Sequence, residues 1–521
     1  MLKKILAVAS LLCAIFVGMN CSTQQQTAQT QQQPQPQTLI RPAVQARTVT
    51  ILHTNDLHAN FVPHEATWVR KDPKPMVGGF RELEFAIDSI RTAKQNVLLL
   101  DAGDVMTGNP ITDRTYKGAE GGALFEMMNM VGYDAWAIGN HDFDISQQNL
   151  IGLTRIAKFP TLSANLVNAK NEFPLNNKEY VIIEKGGLRI GVFGLILQGL
   201  SGVVNQNNLA GVRVLDLTET AQRVINKIDS ETDLIVAVTH NGVAEDSVLA
   251  ASVQGLDVIV GGHSHTRLTK PKLVNDVVIV QTGRFCENLG ELELTVENDK
   301  VVKFDGKLVQ LWANEKRAPT RLSAFVDSIQ TEIDKEFNEV IATLEFDWTR
   351  NSRKESNIGN WIADIQRDAA QAHVGFMNAG GIRTDVSAGP LTRRELFSVL
   401  PFRNTLVTFQ LTGKQLKHSV AHGLAGDDQL QVSGIRVTWK KNTDGSIEIM
   451  KMDVAGKPVD EKASYICAAS DFLVGQGMKY LGIEIPQPIF LQKTVFEAAL
   501  EAARKAKVIS SKVEGRIQEV K

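Results

Sequence analysis

Five apolar runs between Val49 and Gly261 each break off into a short segment dense in carboxylates and imidazoles. The segments are HTNDLH (His53 to His58), DAGD (Asp101 to Asp104), GNHDFD (Gly139 to Asp144), VTHNG (Val238 to Gly242) and GGHSH (Gly261 to His265). The runs before them are rich in Val, Ile and Leu. Amphipathic stretches such as 79–92 and 217–230 lie between several of them. Strand, loop and helix repeated in this way predict an α/β sheet. Open α/β sheets carry their sites just past the carboxyl ends of the strands, where these polar segments fall.

Taken singly, each segment has an ordinary explanation: a helix cap, a surface pair, a histidine satisfied in a core. Taken together they do not. Asp56 and His58 are two apart, as are His263 and His265, and residues two apart at a strand end point the same way. With Asp104 and His240 they bring six imidazole and carboxylate groups toward one region. Burying unpaired carboxylates is costly, and bound cations would resolve the cost. Oxygen and imidazole donors without thiolates favour Mn²⁺, Zn²⁺, Fe or Co over copper(I) or clusters.

The remaining sequence sets the frame. At 521 residues the chain is long enough for more than one core. Lys3 and Lys4 precede a short apolar stretch, Ile5 to Val17, which reads as an export signal over residues 1–20. Cys21 then sits where a bacterial lipoprotein would carry its lipid; signal cleavage nearby with an incidental cysteine is the plainer alternative. Residues 21–46 are rich in Gln, Thr and Pro and read as a disordered tether. These features predict an exported periplasmic or cell-surface lipoprotein, held to a membrane by its anchor. The net charge of −2 provides no global field for a nucleic acid polymer. Cys286 and Cys467 lie far apart, and no disulfide is expected between them. Near Leu311 the pattern changes. Leu322, Phe325, Val326, Ile329, Ile333 and Phe337 recur at helical spacing. The expected units are a catalytic domain at 47–315, a linking helix at 316–341 and a second domain at 342–521.

The five segments, in this order, resemble the calcineurin-like metallophosphoesterase domain of the bacterial 5′-nucleotidase/UDP-sugar hydrolase family. NAGGIR, LPFRNTL and SDFL in the second unit resemble that family's C-terminal substrate domain. The resemblance implies an N-terminal α/β/β/α sandwich joined by a helix to a smaller α/β substrate-binding domain that rotates on it. It also implies two divalent ions, with Mn, Zn or Co expected. One would take Asp56, His58, Asp104 and His265; the other would take Asp104, Asn140, His240 and His263. Two such ions supply a nucleophile from water and clamp an in-line displacement. His141 then becomes a catalytic residue and Asp144 its orienting partner. Asp142 has no assigned role beyond a structural cap.

In the second unit the resemblance points to Asn378 and Arg383 for phosphate, which suits the bidentate, permanently charged guanidinium. Arg353 is assigned with them, and Arg350 competes for the same place. Phe402 and Phe472 would sandwich a nucleobase, against the plainer reading of both as core residues. One stretch departs from the family. Where a glycine pair and a ribose-binding aspartate are usual, DFLVGQGMKY splits the glycines with Gln476 and puts Met478 in place of the aspartate. The implied reaction is hydrolysis of nucleoside 5′-monophosphates to nucleoside and phosphate. Nucleotide-sugar, cyclic-nucleotide and sulfate thiohydrolase-like activities are the alternatives, and a non-catalytic surface binding protein is a further one.

Overall fold

The computed structural model describes residues 46–426 and 428–520. The expected signal, Cys21 and all of the tether except Ala46 lie outside them. The described residues pack as one unit.

Two six-stranded sheets lie face to face in the first half. The first runs in the order Lys300–Gln310, Asn288–Glu297, Arg47–Thr54, Val97–Asp101, Ala135–Ala137, Thr161–Leu162. Its last four strands are parallel. The second runs Tyr180–Lys185, Leu188–Ile196, Leu234–His240, Val258–Gly261, Val277–Val280, Lys272–Val274, with a parallel centre. Alternate residues such as Val49, Ile51, Leu98 and Leu100 meet Ile190, Val192, Val236 and Val238 in a shared core. The opposite faces are covered by helices. Phe80–Ala93 and Gly122–Val131 pack on the first sheet, and Leu217–Ile228 and Val243–Ser252 on the second. Strands buried on both faces read as continuous Val/Ile/Leu runs, as the runs before the polar segments do. The layering is the α/β/β/α sandwich that the resemblance implied.

The helix expected near residue 320 spans Arg321–Phe337 and opens with a capping box in which Thr320 and Ser323 satisfy each other's backbone N–H groups. Its buried stripe, Leu322, Val326, Ile333 and Phe337, packs into the first-half core together with Phe397 of the second half. The second half is a smaller α/β body. Its main sheet runs Leu430–Ser433, Val374–Asn378, Ser464–Ser470, Thr405–Thr412, Ile489–Thr494. Cys286 and Cys467 are free and lie buried in the cores of different halves.

Candidate active site

Asp56 and His58 do not converge through strand alternation. The strand ends at Thr54, and both residues fall in the loop beyond it with left-handed backbone, φ 50° and 45°. Asp104, His263 and His265 are left-handed too, at 57°, 75° and 53°. Non-glycine residues adopt this region at a cost, and such residues gather where surrounding structure enforces a functional geometry. Neighbouring strand ends supply the enforcement: Asp56 N–H donates to the Gly103 carbonyl and His58 N–H to the Asp104 carbonyl, each at 2.9 Å. Gly139 passes so close to Asp104 that a side chain there would strike its backbone nitrogen and carboxylate.

Two donor clusters result. Asp56, His58 and His265 offer ligand atoms within 4.8 Å of one another, and so do Asp104, His240 and His263. In the first, His58 Nε2 lies 3.0 Å from His265 Nε2, and His265 Nε2 lies 3.3 Å from Asp56 Oδ1. In the second, the Asn140 amide oxygen lies 3.1 Å from His240 Nε2 and 2.9 Å from His263 Nδ1. Asp104 Oδ2 stands between the clusters, 3.1 Å from His240 Nε2 and 3.9 Å from His58 Nε2.

The surroundings fix which ring nitrogens face inward. His58 Nδ1 donates to the Thr107 carbonyl at 3.1 Å, and His240 Nδ1 donates to the Ala102 carbonyl at 2.7 Å. With Nδ1 committed in this way, each ring, once neutral, turns the lone pair of Nε2 toward the cluster, as a metal-ligating histidine does. The donor set fits divalent cations: carboxylate and amide oxygens and imidazoles, mostly buried, aimed at common points, with no thiolate among them. Burial, with His265 beside it, holds the His58 imidazole well below its ordinary range. Burial and then His240 bring His263 down to about 4. His240 moves the other way, to about 10: burial opposes its charge, but the Asp104 carboxylate outweighs it.

Asp142, for which the sequence suggested no chemistry, is a structural keystone. Its carboxylate accepts the N–H groups of Asp104, Val105 and Met106 at 3.1 Å and that of Gly139 at 2.8 Å. It thereby ties the loop bearing Asp104 to the loop bearing Asn140. Burial among these loops, with Asp104 nearby, pushes it up to about 7. Thr107 was missed entirely. Its hydroxyl donates to Asp144 Oδ2 at 2.6 Å, while its carbonyl orients His58. No local sequence pattern marks it; its left-handed backbone, φ 70°, belongs to the folded chain.

His141 Nδ1 lies 2.7 Å from Asp144 Oδ2. Burial disfavours the charged ring, but the Asp144 and Asp104 carboxylates outweigh it and raise its pKa. His141 lines a cavity of about 270 Å³ together with Asp104, Asn140, Asp144, His263 and His265. The facing wall comes from the second half and includes Asn378, Arg383, Phe402 and Phe472. Asp56, His58 and His240 lie beneath it, buried. The Phe402 ring stacks on His141 with centroids 5.6 Å apart, and the Arg383 guanidinium sits 5.7 Å from the same ring. Burial and the nearby Arg350 charge lower the pKa of Arg383.

Two assignments fall differently. Arg353 is exposed and does not line the cavity; its backbone N–H is taken by the Asn351 side chain at 2.9 Å within the turn. Arg350 is the arginine whose charge reaches Arg383. Met478 is 60 % exposed and also outside the cavity. Gln476 is buried instead and donates to the Ser201 carbonyl of the first half.

Residues 49–267 match the calcineurin-like phosphoesterase family, and residues 337–482 match the 5′-nucleotidase C-terminal domain. The trifunctional nucleotide phosphoesterase YfkN of Bacillus subtilis is 29% identical over 91% of this chain, which spans only 35% of that longer protein. The human 5′-nucleotidase is 30% identical, over 80% of this chain and 79% of its own. A crystal structure of a 5′-nucleotidase precursor from Thermus thermophilus superposes with a TM-score of 0.79 at 28% identity, covering 91% of this chain and 99% of that one.

Proposed function

The chain belongs to the 5′-nucleotidase family, and we propose that it is a metal-dependent phosphohydrolase that converts nucleoside 5′-monophosphates and water to nucleosides and phosphate. One observation carries this reading. A single cavity has donor clusters and a His–Asp pair on one wall, and an arginine, an amide and two phenyl rings on the other.

The first ion would be held by Asp56, His58, Asp104 and His265, and the second by Asp104, Asn140, His240 and His263. Mn²⁺, Zn²⁺ or Co²⁺ suit these donors. When bound, such a pair supplies Lewis acidity and a nucleophile from water at neutral pH. The protein's own groups do the rest. Asp144 accepts from His141 Nδ1, fixing the ring and favouring its cation. The imidazolium then lies where it can stabilise charge on the phosphoryl oxygens or protonate the leaving oxygen through Nε2. Arg383 and Asn378 bind and orient the phosphoryl group, and Arg350 adds a second positive charge near Arg383. Phe402 and Phe472 hold the base by stacking. The catalytic domain would occupy residues 47–315 and the substrate domain 342–521, joined by a linking segment, 316–341, that contains the helix Arg321–Phe337. Export and lipid attachment at Cys21 would place the enzyme outside the cytoplasm.

A broader ester specificity is favoured by one feature: Met478, in the place of the family's aspartate, is exposed and offers the cavity no carboxylate. Stripping the protein with a chelator, restoring single metals and measuring phosphate release from a panel of esters tests both readings. Phosphate from nucleoside monophosphates only after metal is restored is the expected result. Turnover of none of them with any metal would overturn the proposal.

A further inference from the structure

Phe402 reaches the cavity from an irregular segment, Leu400 to Asn404, between the helix Arg393–Val399 and the strand Thr405–Thr412. No strand ladder holds it there. The next residue does. The Arg403 guanidinium crosses to the first half and meets two carboxylates. Its Nη1 and Nη2 donate to the two oxygens of Glu120 at 3.1 and 2.9 Å, a fork-to-fork pair. Its Nε and Nη2 donate to Asp113 Oδ1 at 3.2 and 2.9 Å. The acceptors are themselves fixed. Asp113 closes the turn Pro110–Asp113, and the Asn149 side chain grips both backbone groups of Glu120, at 2.8 and 3.0 Å.

We propose that Arg403 is a positioning residue for substrate binding: by tying its loop to Asp113 and Glu120 it holds the Phe402 ring over His141, at the mouth of the catalytic cavity. This rests on the reading of Phe402 as a substrate contact. An exposed ion pair alone is worth little, but here one planar fork serves two anchored carboxylates, and geometry of that kind orders a loop. A lysine would keep the charge and lose the fork. The opposite wall is tied in the same manner. Gln476 and Lys479, just past Phe472, donate to the Ser201 and Gly202 carbonyls of the first half, the latter at 3.0 Å. Each aromatic wall is thus pinned by a residue close to it in sequence. Arg403 also neutralises two carboxylates beside a site meant for an anion, so its removal has two consequences that can be separated.

The test compares Arg403→Met, Arg403→Lys, Asp113→Asn/Glu120→Gln and the combination of Arg403→Met with the acid pair. Amide hydrogen exchange is followed across Leu400 to Thr405 in substrate-free protein, and steady-state kinetics are measured on AMP. Exchange in this segment should quicken in every variant, least in Arg403→Lys. KM should rise about fivefold with kcat within about twofold, the scale of an exposed charge network. The combination should be no worse than Arg403→Met. Arg403→Met, which leaves the acids unpaired, should be the worse of the two single-sided changes, and added salt should narrow the gap. Unchanged exchange in Arg403→Met, or a loss confined to kcat, would overturn the proposal. If wild type fails to hydrolyse AMP, the substrate reading falls, and the exchange result still judges the tie.

Discussion

His141 Nδ1 stands 2.7 Å from Asp144 Oδ2, and the Thr107 hydroxyl donates to that same oxygen at 2.6 Å. The acceptor of the proposed catalytic imidazole is therefore held from behind by a residue whose carbonyl also orients His58. His141→Ala should lose at least ~10²-fold in kcat, the usual weight of positioned acid–base or charge stabilisation. Its metal content should stay near wild type. Thr107→Val removes a hydrogen bond to a charged group and should cost about tenfold in kcat with little change in KM. Thr107→Ser should restore most of it. Equal losses in the Val and Ser variants would mean that the threonine matters for packing alone.

Metal dependence should be complete. Asp104 Oδ2 stands between the two clusters, so Asp104→Ala should lower bound metal, measured by elemental analysis, and not merely activity. His141→Ala serves as the control that keeps its metal. Full turnover after exhaustive chelation would refute the assignment of both clusters.

At the nucleoside end, Phe402 or Phe472 replaced by Ala should raise KM for AMP about tenfold, since base stacking on an aromatic ring is worth ~1–3 kcal/mol. Met478 is 60 % exposed and outside the cavity, so Met478→Ala should leave KM within about twofold. Without a carboxylate from that position, AMP and dAMP should differ by no more than about tenfold in kcat/KM. A preference beyond ~10²-fold would assign ribose recognition to another wall residue. Asp471 and Tyr480 both line the cavity and would be the first to substitute.

Much of this was legible from residues alone, for a physical reason. The candidate metal ligands lie in loops just past strand ends, and strands buried on both faces are apolar throughout, so the segments stand out against their runs. The helix Arg321–Phe337 was legible because its buried stripe repeats at helical spacing. What was illegible depends on backbone conformation or on contacts distant in sequence. Asp56 and His58 were expected to converge by strand alternation, whereas left-handed turns bring them together. The four N–H groups gathered by Asp142 come from two loops that no local pattern links. Arg353 and Arg350 share one turn, and spacing alone cannot say which of them faces Arg383. The roles of Arg403 and Gln476 exist only across the contact between the halves.

Asp257 offers a test of stability away from the metal clusters. It is half-buried just before the strand Val258–Gly261, and its Oδ2 accepts the Ile235 N–H at 2.8 Å. Burial raises its pKa from the ordinary 3.8 to about 7; the Ile235 N–H opposes the rise, and Asp229 and Asp299 add to it. Between these values the folded chain keeps a proton that the unfolded chain has released. Stability from this group must therefore fall as pH climbs from about 4 to about 7, and the full penalty persists above that. Asparagine keeps an acceptor for the Ile235 N–H and never ionises. Asp257→Asn should raise the melting temperature at pH 8 and change it little at pH 4. The difference between variant and wild type should develop across that window. A variant that melts lower at pH 8, or that shifts equally at both pH values, would show that the carboxylate is held ionised in the folded chain.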